Sequence, residues 1–319
     1  MSEHPSNYHR DAQFDERLVR DDEIDLRELF SAIWAGKWLI VAITSIFAVA
    51  SVALALYLPN IYKSEALLAP ASSEQAGGLG GLAGQFGGLA SLAGINLGGG
   101  ATIDKTALSM EVMKSREFIS QFVRNHELLV PLMAAKGWDA EANKLEWDSE
   151  IYDASANRWV RTPKPPRGEE PSSQEAYEAF RDIFQINQDK QTSLVKVSVE
   201  HYSPYIAKQW VDWLVEAINL EMKARDLQEA QRSIAYLKNQ LAQTRVAEMQ
   251  TVLYQLIEEQ TKTIMFAEVR NEYVFKTVDP AVVAEKRFAP SRALICVLGT
   301  ILGGFIAMCF VLIRYFVRK

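Results

Sequence analysis

Metal sites and catalytic centres are built from histidines, cysteines and paired carboxylates, and in this chain those side chains stand apart. His4 and His9 belong to a polar N-terminal stretch, while His126 and His201 are distant from each other and have no companions at metal-ligand spacing. Glu258 and Glu259 lie in a helical run whose carboxylates face water, and no nucleophile elbow, kinase signature or phosphate loop occurs. Residues 77–100 hold 11 of the 17 glycines, but a phosphate-binding loop needs a Lys and a Ser/Thr at fixed spacing after its glycines, and neither stands at that spacing. They read as a flexible loop whose Leu, Phe and Ile suit an apolar neighbour such as a second subunit. The expectation is no enzyme, no cofactor and no metal.

One spacing does carry a physical function. Gly299, Gly303 and Gly304 form a GxxxG with an extra Gly beside it, inside an apolar run. Lipid tails supply no hydrophobic drive for helix association, so small residues at that spacing let two backbones approach and pack. The partner is left open between the first apolar run, another copy and a different membrane protein.

The elements that hold these residues follow from the distribution of apolar side chains. Trp38–Leu58 and Ala293–Ile313 each run 21 residues without a charge, about 30 Å of helix and the thickness of a hydrocarbon core. A cleaved signal peptide does not fit the first run, because a long mixed-charge tail precedes it. Arg20, Arg27 and Lys37 before the first span, with Arg314, Arg318 and Lys319 after the second, put both termini in the cytoplasm. Lys286, Arg287 and Arg292 lie outside the second span, but a loop of that length translocates largely regardless of charge. Both cysteines, Cys296 and Cys309, fall in the second span, so the exported part has no disulfide framework. The chain is acidic, with a net charge of −6, a poor fit to nucleic acid.

The expected organisation is a cytoplasmic tail (1–37), a first transmembrane helix (38–58), a periplasmic domain (59–292), a second transmembrane helix (293–313) and a cytoplasmic stub (314–319). Ile24, Leu26, Leu29, Phe30, Ile33 and Trp34 recur at helical spacing and read as an interfacial helix. IYKSEALLAP after Pro59 and Asn60 reads as a strand, and Asp104–Val130 as two helices. Residues 138–172, rich in proline, read as an exposed loop. A helix over Ser173–Phe184 and a strand in SLVKVSVEH follow.

From Pro204 neither Gly nor Pro recurs until Pro280, and Ile206, Trp213, Leu220, Leu227, Ile234 and Leu241 stand seven apart. Trp210, Ala217 and Ala224 give only a partial second seam, so one narrow stripe is expected to serve side-by-side contact in an oligomer. An unbroken helix over this arm (205–268) could not bring the chain back to the second span. A turn near Ala242–Arg245, with Thr244 capping a descending helix, is therefore expected, and VRNEYVFKTVDPA then reads as a returning strand.

Several of these segments carry a resemblance to a family: IDLRELFSAIWAGKWLI, IYKSEALLAP, VSVEHYSPYIAKQWVDWLVEAIN and above all VDPAVVAEKRFAPSRALICVLGTILGG. The chain resembles the Wzz-type chain-length determinants, or polysaccharide co-polymerases, in which a Pro, here Pro290, precedes a Gly-bearing span, here Gly299, Gly303 and Gly304. AEKRFAP lacks a further proline that the family pattern carries. The resemblance implies an α+β fold: two transmembrane helices flank a periplasmic domain with an α/β membrane-proximal base and long extended helices.

It also implies an inner-membrane homo-oligomer without a catalytic centre, which sets the modal length of a surface polysaccharide made by a Wzy-type polymerase. Lipopolysaccharide O-antigen is the first expectation, and a capsule or exopolysaccharide the alternative. Partners implied are further copies, the polymerase, membrane lipid and a polysaccharide or lipid-linked glycan, with no nucleic acid. Some relatives carry a cytoplasmic tyrosine kinase, and ending at Lys319 sets the expectation of the kinase-free type. A periplasmic export or secretion adaptor is the competing class. It would share the two-span layout, but would be expected to carry paired coiled-coil arms and lipoyl-like or barrel strands.

Overall fold

The computed structural model describes residues 33–71 and 104–318. The expected interfacial helix up to residue 32 and the Gly-rich segment 77–100 lie outside the described residues. The chain divides into two compact units, one made of its two ends up to Leu58 and from Pro290, the other of Pro59–Ala289.

The first unit is a helix pair, α1 (Lys37–Tyr57) and α8 (Arg292–Arg318), packed along each other. Both are long and apolar enough to cross a membrane. Their large side chains point outward, among them Ile46, Val49, Leu302 and Phe305. A helix in water would turn such residues inward.

The second unit is a mixed helix and sheet domain. In chain order it holds β1 (Tyr62–Pro70), α2 (Lys105–Lys114), α3 (Arg116–Asn125), α4 (Leu129–Met133), β2 (Ala135–Asp139), β3 (Lys144–Trp147), β4 (Tyr152–Asp153) and β5 (Arg158–Trp159). α5 (Ser173–Ile183), β6 (Phe184–Gln188), β7 (Val195–His201), α6 (Pro204–Gln243), α7 (Ala247–Val269) and β8 (Phe275–Asp279) follow. Strands β6-β7-β1-β8, in that order, make one antiparallel sheet. Ser64, Ala66 and Leu68 of β1 are buried at alternate positions, as a half-buried strand requires. Ala66 and Leu68 join Val195, Val197, Val199, Phe184, Ile186 and Phe275 in the core.

Helices cover that core, α2 through Val112 and Met113. Phe118, Ile119, Phe122 and Val123 of α3 and Ala176 and Phe180 of α5 form two apolar stripes, and Phe122 and Phe180 meet edge to face with ring centroids 5.5 Å apart. The first half of α6 contributes Ala207, Trp210, Val211, Leu214, Ile218 and Met222 at helical spacing. The two ends of the domain's chain are tied together where Ile61 N–H donates to the Ala289 carbonyl at 2.8 Å and Phe288 N–H donates to the Ile61 carbonyl at 2.8 Å.

Asp104–Val130 holds the two expected helices, divided where Ser115 ends α2 and its hydroxyl accepts from Phe118 N–H to start α3, and the short α4 follows from Leu129. Two other expectations are corrected here. Residues 138–172 are not all loop. They include the hairpins β2–β3 and β4–β5, whose turns use the left-handed Asn143 (φ 48°) and Asn157 (φ 51°) and whose Trp147, Tyr152 and Trp159 rings pack together. The break in the arm falls at residues 244–246, but Thr244 does not cap α7: Val246 occupies the cap without a side-chain bond, and the Thr244 carbonyl accepts from Gln250.

Candidate functional site

The expected glycines sit in α8, against α1. A methyl built on Gly303 would lie 2.4 Å from Cβ of Phe47, and one on Gly299 would lie 2.5 Å from Cβ of Ser51. Both distances are well inside contact, so these two positions admit only hydrogen where the helices cross. Gly304 is different, since the nearest atom to its built methyl is Thr44 Oγ1 at 3.8 Å, ordinary contact. A further close approach is made by Gly36, ahead of α1, under the side chain of Val311. Of the three partners left open by spacing, the first span takes up Gly299 and Gly303. Pro290 is half-buried and stands two residues ahead of α8.

The six-residue stripe on α6 is divided by the structure. Ile206 and Trp213 are packed against the domain core, and Trp213 stacks on His126 with ring centroids 4.4 Å apart. Leu220 is 57% exposed. Leu227, Ile234 and Leu241 are half-buried, on the outer part of the helix along which α7 packs. A strict seven-residue spacing drifts about 20° per repeat on a straight helix, so the stripe turns from one neighbour to the next along its length. Far more continuous apolar exposure lies on α7, where Tyr254, Met265 and Val269 face away from the buried Ala267 by helical spacing.

The root of this helical arm is held by a residue that periodicity did not single out. Asn219 is buried in α6, and its Oδ1 accepts from the N–H of Val274 at 2.8 Å and of Phe275 at 3.0 Å. Its Nδ2 donates to the carbonyls of Phe275 and Val215, both at 3.1 Å. One side chain thus satisfies the start of β8 on both its donor and acceptor groups. The signal available in the sequence was a lone amide on the otherwise apolar face formed by Leu214, Ile218 and Met222. Nearby, Asp226 accepts from Lys105 Nζ at 2.8 Å and from the hydroxyl of Tyr273, while Lys223 Nζ donates to the carbonyls of Glu268 and Arg270. Burial and the Asp226 carboxylate push the Tyr273 phenol well above its usual value, so it stays a donor.

Two further polar groups pin the base. Arg161 forms a fork on Glu175, with distances of 2.7 and 2.8 Å, and Glu175 also closes a capping box with Ser172 at the start of α5. The Arg161 hydrogen bond holds the Glu175 carboxyl at about 2. His201 is buried, which pushes its imidazole down to about 4. Its Nδ1 accepts from Ser203 N–H at 3.1 Å, which leaves Nε2–H to donate to the Pro131 carbonyl at 3.2 Å. His201 and His126 therefore serve packing. Glu258 pairs with Lys262 along α7, and among the described residues no cluster of His, Cys, Asp and Glu is arranged to hold a metal ion.

Two family models match the chain. One, described as chain length determinant protein (Wzz), covers residues 22–126. The other, described as G-rich domain on putative tyrosine kinase (GNVR), covers residues 236–316. Among solved structures, the chain is similar to a full-length bacterial polysaccharide co-polymerase at 15% identity, covering 92% of this chain and 98% of that one, with a TM-score of 0.38. A fragment of the Salmonella Typhimurium polysaccharide co-polymerase WzzB aligns at 15% identity over 72% and 100%, with a TM-score of 0.28. A mutant of the Shigella flexneri lipopolysaccharide O-antigen chain-length regulator aligns at 12% over 71% and 99%, with a TM-score of 0.20. No curated protein matches the chain.

Proposed function

From a chain that carries the chain length determinant domain and the G-rich domain, we propose that it sets the modal length of a surface polysaccharide, lipopolysaccharide O-antigen first, as an oligomeric co-polymerase beside a Wzy-type polymerase. The observation that carries this reading is the match over residues 22–126, which runs from ahead of the first apolar helix to the end of α3. Two helices of membrane-spanning length on either side of the domain support an inner-membrane placement with both termini in the cytoplasm. Such a protein needs no active site. It acts by arranging a polymerase and a growing chain, and the apolar side chains left open on the arm, Leu220, Met265 and Val269, are suited to join copies.

The G-rich domain, whose description places it on putative tyrosine kinases, favours a second reading: a capsule or exopolysaccharide co-polymerase that works with a tyrosine kinase.

Deletion of the gene followed by a silver-stained gel of extracted lipopolysaccharide separates the two. Loss of a defined long-chain cluster, restored by the intact gene, is the expected result. An unchanged ladder with altered capsule, together with a phosphotyrosine signal that depends on the gene, would replace the first reading by the second.

A further inference from the structure

An open groove of about 720 Å³ runs along the edge strand β6, between the end of α2 and the face of α5. Lys114, Ser115, Tyr177, Arg181, Gln185 and Asn187 line it. Tyr177 holds two cations at once: the guanidinium of Arg116 lies 5.7 Å from its ring centroid and that of Arg181 lies 5.9 Å. Among the described residues neither arginine is in an ion pair with a carboxylate, whereas the groove's own acid, Glu111, is taken up by Lys114 at 3.0 Å. Two guanidinium groups over one aromatic ring, Arg181 in the lining of the groove and Arg116 next in sequence to the lining Ser115, are suited to a carboxylate or phosphate. Asn187 adds an amide on the outward side of the edge strand, and amides of that kind serve hydroxyl groups.

We infer that this groove binds a segment of a glycan whose sugars carry an anionic oxyacid group, with Arg116 and Arg181 on the anion and Asn187 on neighbouring hydroxyls. The inference rests on the polysaccharide reading above and goes beyond it by naming a binding surface and a ligand charge. A neutral sugar would leave both forks unsatisfied, and free phosphate would satisfy them without using the length of the groove.

The test is calorimetric titration of the full chain in detergent with three probes: an oligogalacturonide, a neutral malto-oligosaccharide and inorganic phosphate. The oligogalacturonide should bind, the neutral oligomer should not, and R116Q/R181Q should weaken binding at least tenfold. R116K/R181K keeps the charge and loses the fork, and should recover only part of the affinity. An unchanged melting temperature in both variants excludes unfolding as the cause. Binding of phosphate as tight as that of the oligomer would overturn the glycan assignment and leave a simple anion site. Equal binding of neutral and acidic oligomers, or no effect of the double variant, would overturn the role of the arginines. Because this readout is binding, its failure is separate from a failure of the gene deletion to change polymer length.

Discussion

Asn219 shows how much of the domain hangs on one polar side chain. Replacing it by Leu would keep the branched shape but strip partners from two N–H groups and one carbonyl at the start of β8, each costing about 1–3 kcal/mol when left buried and unsatisfied. Denaturant unfolding of Asn219→Leu should therefore show a loss of about 3 kcal/mol or more. A loss below about 1 kcal/mol would mean that β8 finds other partners. His201 gives a pH dependence with a definite sign. Its folded value of about 4 lies below the ordinary histidine value, so the folded state favours the neutral ring. Its contribution is complete above about pH 6.5 and is lost as the pH falls from there towards 4, by about 3 kcal/mol at most. Glu175, depressed to about 2, contributes above its ordinary carboxylate value and is lost only below about pH 4.5, so the two windows barely overlap. Stability measured from pH 7 to 5 should fall in the wild type and stay flatter in His201→Gln. Equal slopes would remove His201 as the cause.

Among the elements, the membrane helices make the sharpest claim. Gly303→Leu must displace Phe47 or separate α1 from α8, whereas Gly304→Ala adds a methyl in ordinary contact with Thr44. Cysteine crosslinking between the two helices should be lost in the first variant and retained in the second. Retention in both would show that the helices pack elsewhere. On the arm, M265E/V269E should weaken the proposed association of copies, read by light scattering, because it charges exposed apolar side chains on α7. Trp213→Glu should instead destabilise the domain, because Trp213 packs on the core beside His126. Apolar periodicity located the arm, and chain length placed its turn, because a 40-residue helix of about 60 Å needs a return path. It did not tell which neighbour each stripe residue meets, since that depends on the drift of a straight helix past the sheet, solvent and α7 in turn.

At the scale of the whole molecule, the proposed topology predicts that a cysteine introduced at Ser149, between β3 and β4, in a C296A/C309A background, will be labelled in intact spheroplasts by a membrane-impermeant maleimide. Labelling only after the inner membrane is opened would reverse the orientation. Two apolar helices at either end, strands of alternating burial and a long glycine-free helix were legible from one-dimensional pattern, because hydrocarbon thickness and helical or strand period act on consecutive residues. The capping box of Ser172 and Glu175 is equally local, a Ser followed three residues later by a Glu, but it was not singled out before the structure showed it. What the tertiary structure alone decided is every pairing across sequence distance: Asn219 with β8, Arg161 with Glu175, Gly303 with Phe47, and the two arginines gathered around Tyr177. Such contacts depend on which faces are brought together when the core closes. A spacing along the chain specifies a face, but the partner of that face is chosen only by packing in three dimensions.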